Sequence, residues 1–287
     1  MNLSGYIIER YNQMKGSYTC HRLEEEAKTL GIDLRTIGIN DCCVTRDGII
    51  NSGVNLKRRD FIINRYKWGK IKDRINRLGG RQYNERAAFD VYINKFEQTC
   101  RLQSKCYSTP RNILATNQYP YDDVTRVLGC PFVAKGLESS MGREIRLINS
   151  NEGYLNLSDE FPNDKEWLFE EYISACHGSD IRLFSIRGEA VACMRRTSSS
   201  DFRANVALGA TVERMDIDDR LQGIARELHS LTKLDIIGID LLPVEDDYYL
   251  CEVNVMPGLE GIEKATETNI AGKIMTMILN DFRDGQE

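Results

Sequence analysis

The chain has 287 residues, 41% of them hydrophobic and 28% charged, with a formal net charge of −5. That length exceeds one ordinary compact domain, so two or three lobes are expected, and the mild acidity excludes a strongly basic nucleic-acid binder. The start, MNLSGYIIERYNQMKG, has no basic region followed by an apolar one, no apolar run approaches a membrane span, and the nine cysteines form no CxxC pair; a cytoplasmic protein with reduced thiols, no nucleic-acid partner and no membrane contact is expected. The longest basic patch, LKRRD at 56–60, reads as a solvated strand entry, and His21, His177 and His229 stand apart, which argues against a His/Cys metal cluster.

In chain order, LSGYIIERY reads as a strand, CHRLEEEAKTLG as a helix, IDLRTIGIND and DFIINRYK as strands, and WGKIKDRINRLGG as a helix closed by its glycines. This alternation predicts a small α/β lobe over residues 1–88, a parallel sheet with helices packed on it. NERAAFDVYINKFEQTCRLQSK reads as one long helix leading into a second region, 89–287, and STPRN ends it. From about residue 130 the pattern changes. PFVAKG, REIRLI, WLFEEYI, DIRLFSI and EAVACMRR are short strands, DIDDRLQGIARELHSLTK is a helix with Leu221, Ile224, Ala225 and Leu228 on one face, and IIGIDLLP and YYLCEVN are strands again. The tail TNIAGKIMTMILNDF is helical, with Ile270, Ile274, Met277 and Ile278 on one side. The second region is therefore antiparallel α+β.

Chemistry concentrates in the last strand pair. Residues two apart in a strand share a face, so Glu252 and Asn254 point one way while Cys251 and Val253 point the other, which makes Cys251 a core residue. If the turn centres on Asp246, Leu242 faces Leu250 and Asp240 faces Glu252. Opposed like charges in an antiparallel pair repel, and a divalent cation resolves the conflict: Asp240, Glu252 and the Asn254 carbonyl are hard oxygen ligands suited to Mg²⁺, which completes its shell with waters and phosphates. A surface hairpin with solvated carboxylates is the competing account.

A magnesium site with few protein ligands implies a phosphate. PFVAKGLESSMGREIRLI is a strand ending in Lys135, a loop with Gly136, Ser139, Ser140 and Gly142, then another strand. Such a loop can turn its N–H groups onto phosphate oxygens, although it is no P-loop. Lys95 lies in YINKFEQ, where an exposed residue is the ordinary reading. HGSDIRLF places Asp180 and Arg182 on one face of a strand, and MRRTSSSDFRANVALGA supplies Arg195, Arg196, Arg203 and Asn205. Arginines beside an acidic metal site suit a carboxylate or a transferring phosphate.

AVACMRR with DFRANVALGA, then GIDLL, then CEVNVMPGLEGIEK and NIAGKI form an ordered set that resembles the ATP-grasp superfamily, and within it the RimK-type glutamate ligases, over residues 84–275. The resemblance implies an ATP-grasp fold of three lobes, with ATP between two antiparallel sheets and a central lid lobe over about residues 122–172. It implies that Lys95 and Lys135 hold phosphates, that the stretch from Gly136 through Ser139 and Ser140 to Gly142 is a mobile lid loop, and that Glu171 and Tyr172 form the hinge that meets adenine. Asp180 falls near the ribose, Arg203 and Asn205 over the triphosphate, and Arg182 and Arg195 on the substrate side, so that Arg203, Arg182 and Arg195 carry catalysis. Asp240, Glu252 and Asn254 match the magnesium ligands, with two ions implied and manganese an alternative. The lid sequence ESSMGRE is less glycine-rich than the family's, which bears on acceptor contacts, and no domain is expected after NIAGKIMTMILNDF.

The reading is an ATP-dependent carboxylate–amine ligase that works through an acyl phosphate, with glutamate or an acidic peptide as a substrate. Its acceptor is open among a small molecule, a protein tail, a peptide cyclised through side-chain amides and a carrier-protein thiol; a homo-oligomer is compatible. The rival from another class is a catalytically silent nucleotide-binding module, against which the intact Asp240, Glu252, Asn254, Lys95 and Lys135 argue.

Overall fold

The computed structural model describes residues 3–11, 17–67, 69–103, 108–139, 143–204, 209–245 and 247–284. The N-terminal lobe runs β1 (Ser4–Glu9), α1 (Tyr18–Thr29), β2 (Asp33–Gly38), a meander of β3 (Cys42–Val44), β4 (Ile49–Asn51) and β5 (Val54–Asn55), then β6 (Arg59–Asn64), α2 (Lys70–Asn76) and β7 (Gly79–Tyr83). Its main sheet is parallel throughout, in the order β2-β1-β6-β7. The expected α/β lobe is present, but the glycines after α2 do not cap it. They open β7, because a Cβ on Gly79 would meet the Ile62 side chain at 2.4 Å and one on Gly80 would meet the Asp60 carbonyl oxygen at 2.5 Å.

The single long helix expected over residues 84–105 is two: α3 (Arg86–Tyr92) and α4 (Lys95–Gln103). Asn94 makes the break, its Oδ1 accepting from the N–H groups of Phe96 and Glu97 at 3.0 and 3.2 Å, the local bonding by which asparagine prefers helix starts to interiors. Lys95 is thereby the first residue of a helix and 6% exposed, not a solvated mid-helix lysine.

A second sheet, in the order β10-β9-β11-β8, comprises β8 (Asn112–Thr116), β9 (Phe132–Gly136), β10 (Ile145–Ile148) and β11 (Glu166–Glu171), with α5 (Tyr121–Leu128) and α6 (Asn151–Glu160) packed on one face. It already includes β8, ahead of the expected start at 122. The third sheet, β14-β13-β12-β15-β16, is antiparallel, formed by β12 (Ser179–Ile186), β13 (Glu189–Thr197), β14 (Thr211–Arg214), β15 (Ile236–Val244) and β16 (Asp247–Asn254). Between β14 and β15 runs α7 (Asp219–Thr232), and after β16 come α8 (Glu260–Thr266) and α9 (Ile270–Asp284). Leu221, Ala225 and Leu228 of α7 pack with Ile181, Leu183, Ile239 and Val253 on one face of this sheet. On the other, Phe184, Met194 and Ile236 join Ile7, Phe61 and Tyr83 of the N-terminal lobe and Ile270, Ile274 and Ile278 of α9.

One side chain ties the N-terminal lobe to both strands of the last hairpin. Asn84, 2% exposed, donates to the carbonyls of Ile236 and Val255 at 2.7 and 3.2 Å and accepts from the Ile236 N–H at 2.8 Å. Thr19 Oγ1 on α1 adds a bond from the Leu259 N–H at 3.0 Å, and Glu263 accepts from Tyr18 and Arg22 at 3.1 and 3.3 Å.

The N-terminal lobe carries a buried charge. Lys72 is 1% exposed, with its ammonium over the Phe89 ring at 3.9 Å and donating to the Tyr66 carbonyl. Burial pushes its pKa down to about 7. Between that value and the unfolded lysine's, about 10.4, the unfolded chain binds more protons, so stability from this group rises with pH across that window. Lys72→Met is therefore expected to raise the thermal midpoint at neutral pH by about 2–4 °C, and by less near pH 9.5. A lowered midpoint at both pH values in a melting series would contradict the assignment.

Candidate active site

β15 and β16 place Asp240 directly opposite Glu252 and Gly238 opposite Asn254. Ile237, Ile239 and Leu241 fill the core beneath α7, so by alternation Gly238 and Asp240 face the other way. The register carries a bulge between Asp240 and Leu241: Leu241 pairs with Leu250 and Leu242 with Tyr249, correcting the expected Leu242–Leu250 pairing by one residue. The extra residue is Cys251. A bulge breaks strict alternation, and here both Leu250 and Val253 enter the core while Cys251 and Glu252 between them turn outward together. Cys251 is therefore not a core residue; its Sγ lies 3.6 Å from Lys135 Nζ.

Asp240, 7% exposed, is held by two arginines. Arg182 grips it as a fork, Nε on Oδ1 and Nη2 on Oδ2, the latter at 2.7 Å. Arg196 Nη2 reaches Oδ1 at 3.0 Å, and Arg196 also forks Asp180 at 2.5 and 2.6 Å. Gly238 leaves the room for this arrangement, since a Cβ there would stand 3.2 Å from Arg182 Cδ. Burial alone would raise the Asp240 pKa, but the two guanidiniums outweigh it and hold the carboxyl down at about 2. For Asp180 burial prevails over Arg196, with the Asp240 charge adding to it, and the pKa is pushed up to about 6.

Two of the arginines expected on the substrate side are placed otherwise. Arg182 is 9% exposed and committed to Asp240. Arg195 pairs across from Ile181, on the core face of the sheet, opposite to the face of Arg182 and Asp240; strand alternation decides this. Arg196, adjacent in sequence, occupies the position expected for Arg195.

The second sheet contributes the facing wall. Phe132, Ala134, Trp167 and Phe169 point into its own core, so Lys135 and Glu170 emerge from the opposite face. Lys135 Nζ donates to Glu170 Oε1 at 2.8 Å. Burial disfavours its charge, yet the Glu170 and Glu252 carboxylates more than offset that and raise its pKa, while burial pushes the neighbouring Cys251 thiol up to about 12. Gly136 follows, where any Cβ would collide with the Glu144 side chain at 2.1 Å. Ser139 turns back, its N–H and hydroxyl both donating to the Gly136 carbonyl at 3.3 Å. Lys95 joins this loop to the third sheet: its N–H donates to the Leu137 carbonyl at 3.0 Å, and its ammonium donates to the Ser139 carbonyl and to Glu252 Oε1, each at 3.0 Å.

The side chains of the expected adenine hinge turn outward. Glu171 is clasped by Arg111 at 2.9 and 3.0 Å, which holds its carboxyl below the usual range, and the Tyr172 hydroxyl bonds His177 Nδ1. The inward residue of that strand is Glu170. Arg203 pairs with Asp201 at 2.6 Å and reaches the Ile145 carbonyl of β10 at 3.5 Å, bridging the two sheets. Ser140, Gly142 and Asn205 lie outside the described residues.

Among the described residues no three His, Cys, Asp or Glu side chains converge on a metal-sized site; the Asp240 and Glu252 carboxylates and the Asn254 carboxamide, whose Oδ1 also accepts from the Met256 N–H at 2.9 Å, are the oxygen donors of the last strand pair. A short all-oxygen set fits Mg²⁺, which keeps waters and substrate phosphates. The sequence pattern named Arg196 without giving it a role and did not single out Glu170, although alternation through WLFEEYI marks Glu170 as cleft-facing.

The RimK-like ATP-grasp domain profile matches residues 94–278. Among curated proteins, a probable alpha-L-glutamate ligase of Legionella pneumophila (strain Corby) is 28% identical over 275 residues, 91% of each chain. Two solved structures share the fold: the ATP-grasp ligase PsnB complexed with minimal precursor, with a TM-score of 0.71 at 17% identity over 98% of this chain and 99% of that one, and the macrocyclase MdnC of Microcystis aeruginosa MRC bound with precursor peptide MdnA, with a TM-score of 0.72 at 14% identity over 97% of this chain and all of that one. The two antiparallel sheets that face each other across Lys135, Cys251 and Glu252 are thus those of an ATP-grasp fold, and the chain belongs to the RimK-like ATP-grasp family.

Proposed function

We propose that this protein is an ATP-dependent carboxylate–amine ligase that joins an amino acid, glutamate or the acidic end of a peptide by preference, through an acyl phosphate. The observation that carries the reading is the convergence of two lysines on β16, Lys95 from α4 on Glu252 Oε1 and Lys135 from the second sheet on the adjacent Cys251, where Glu252 stands opposite Asp240. The substrate carboxylate attacks the γ-phosphorus of ATP and ADP leaves; the amine then attacks the acyl carbon, phosphate departs, and the amine gives up its proton. Lys135, aligned by Glu170, and Lys95, aligned by Glu252, present ammonium groups to the phosphate oxygens. Arg203 bridges the sheets where charge moves during transfer. Asp240, Glu252 and Asn254 would hold Mg²⁺, which when bound neutralises the phosphates. Arg196 and Arg182 keep Asp240 ionised and Asp180 in place.

The preference for glutamate draws on the alpha-L-glutamate ligase name of the relatives. A second reading, modification of a peptide, draws on the precursor-bound PsnB and MdnC structures. The count of metal ions, a protein-tail or carrier acceptor and a homo-oligomer remain parts of the proposal. No described helix is long and apolar enough to cross a membrane.

The decisive experiment is ADP release by the full chain with Mg²⁺-ATP and a panel of amino acids, each alone and with candidate peptides. Glutamate or an acidic peptide is expected to drive release; no release with any pair overturns the ligase reading. In the same assay Glu252→Gln should lower kcat by about 100-fold or more with an unchanged melting curve, and full activity would remove Glu252 from the site. Arg196→Met strips both carboxylates of a partner, so it should cost about 3 kcal/mol at neutral pH. The loss should shrink near pH 5, where a protonated Asp180 needs no cation; urea melts showing an equal loss at both pH values would contradict this.

A further inference from the structure

The mild overall acidity conceals an uneven distribution of charge. From Arg46 to Arg77 the chain carries ten lysines and arginines against three aspartates, in a protein whose net charge is −5. That stretch spans most of the meander, β6 and α2. On one face of the N-terminal sheet, Ile49 of β4, Leu56, and Ile71 and Ile75 of α2 pack with Tyr6, Ile8 and Ile62, so the meander and α2 share that face and their outer sides meet solvent. The Leu56 N–H donates to the Ile49 carbonyl and the Arg59 N–H to the Leu78 carbonyl, each at 2.8 Å. The segment between β5 and β6 is thereby joined to the meander at one end and to the end of α2 at the other.

Three of these cations are committed within the protein: Arg59 to Asp33, Arg65 to the Pro257 carbonyl, and Lys72 to the interior. The other seven are exposed, and among the described residues none of them forms an ion pair. Lys70, Arg74 and Arg77 follow one another at helical spacing on the solvent side of α2. Lys57 and Arg58 lie between β5 and β6, Arg46 lies in the turn between β3 and β4, and Lys67 follows β6. The aspartates of the stretch do little to offset them. Asp60 accepts from the Ser4 N–H and hydroxyl at 2.8 and 2.9 Å, and Asp73 accepts from Arg86 at 2.6 Å; only Asp47, beside Arg46, is left. Val54 and Val44 of the meander, 65% and 40% exposed, add apolar surface. Like charges gathered on one side of a lobe repel one another and disfavour the fold, and an anionic partner removes that cost.

We infer that this face docks an acidic polypeptide, the substrate chain, and holds its aspartate- and glutamate-rich body while one end enters the cleft. The inference rests on the ligase reading for what the chain is, and adds where its body lies. A free amino acid is too small to engage cations spread from the meander turn to α2, whereas a run of carboxylates meets them in series. Phe61 is buried and Tyr66 half-buried, so among the described residues of the stretch no aromatic ring is exposed for a nucleic-acid base to stack on. Val44 and Val54 suit the apolar side chains of a polypeptide instead. The surface also leads to the active site: Lys67 and Lys70 follow the carboxyl end of β6, where Arg65 Nη1 donates at 2.9 Å to the Pro257 carbonyl, in the segment after Asn254.

The test is the fluorescence anisotropy of a dye-labelled oligoglutamate peptide titrated with the full chain. Reversing the helix stripe, Lys70→Glu with Arg74→Glu and Arg77→Glu, should raise the peptide Kd about tenfold or more. Arg46→Glu with Arg58→Glu should weaken it in the same direction, from elements outside α2. Added salt should weaken binding by the wild type. The melting curve and the KM values for ATP and free glutamate in ADP release should stay unchanged in both variants. Equal peptide affinity in the wild type and both variants, no binding of the peptide by the wild type, or a loss that ATP shares in both variants overturns the inference. Tighter binding of an oligothymidylate of equal length overturns it in favour of a nucleic acid. Anisotropy needs no turnover, so the two readings fail separately: absence of ADP release by the wild type with every substrate pair overturns the ligase reading, and the titration still decides whether the surface takes an acidic polypeptide.

Discussion

The site is organised by a repulsion. Two carboxylates, Asp240 and Glu252, are set directly across an antiparallel pair from each other, one of them nearly buried, in a sheet whose other face is closed by α7. Such a placement survives only with cations brought to it, and each comes from a different element: Arg182 from β12, Arg196 from β13 and Lys95 from the start of α4. Lys135, from the second sheet, completes the set through Glu170 and Cys251. The groups that balance the acidic pair in the folded chain are the ones that the proposed function assigns to a polyphosphate and its metal.

That balance explains why the break between α3 and α4 matters. A continuous helix would leave Lys95 in its middle, facing wherever the helical period sent it. Ending one helix and capping the next with Asn94 puts the lysine at a helix start, where its backbone joins the loop after β9 and its ammonium reaches Glu252. The bulge at Cys251 serves a similar end on β16. It places two consecutive residues on the cleft side and gives the lysine of the opposing sheet a sulfur neighbour.

Much of this was legible in the sequence. Residues of one polarity at alternate positions fixed the faces of β15, and the GIDLL and CEVN segments marked where carboxylates stand in apolar strands; the Asp240–Glu252 opposition followed from counting back from the turn. The count reached the right pair by a different register, since a bulge leaves no mark in composition. Arg195 and Arg196 show the limit most plainly: in MRR two identical side chains are adjacent, and only the pairing of β12 with β13 tells which faces Asp240. Nor does sequence separate a carboxylate that waits for substrate from one already clasped by a surface arginine, as Glu171 is by Arg111. The β3–β5 meander and the glycine-initiated β7 escaped because short strands and close backbone approach are settled by neighbours far along the chain.

The amide of Asn84 has a mechanical corollary. By bonding the first residue of β15 and the residue after β16 at once, it welds the N-terminal lobe to the strand pair that bears the acidic residues, and the apolar contacts of Phe61 and Tyr83 with α9 and β12 thicken the weld. The strands that bear Asp240 and Glu252 therefore cannot shift without carrying the N-terminal lobe with them, and a substitution at Asn84, far from the carboxylates in sequence, would be felt at their spacing.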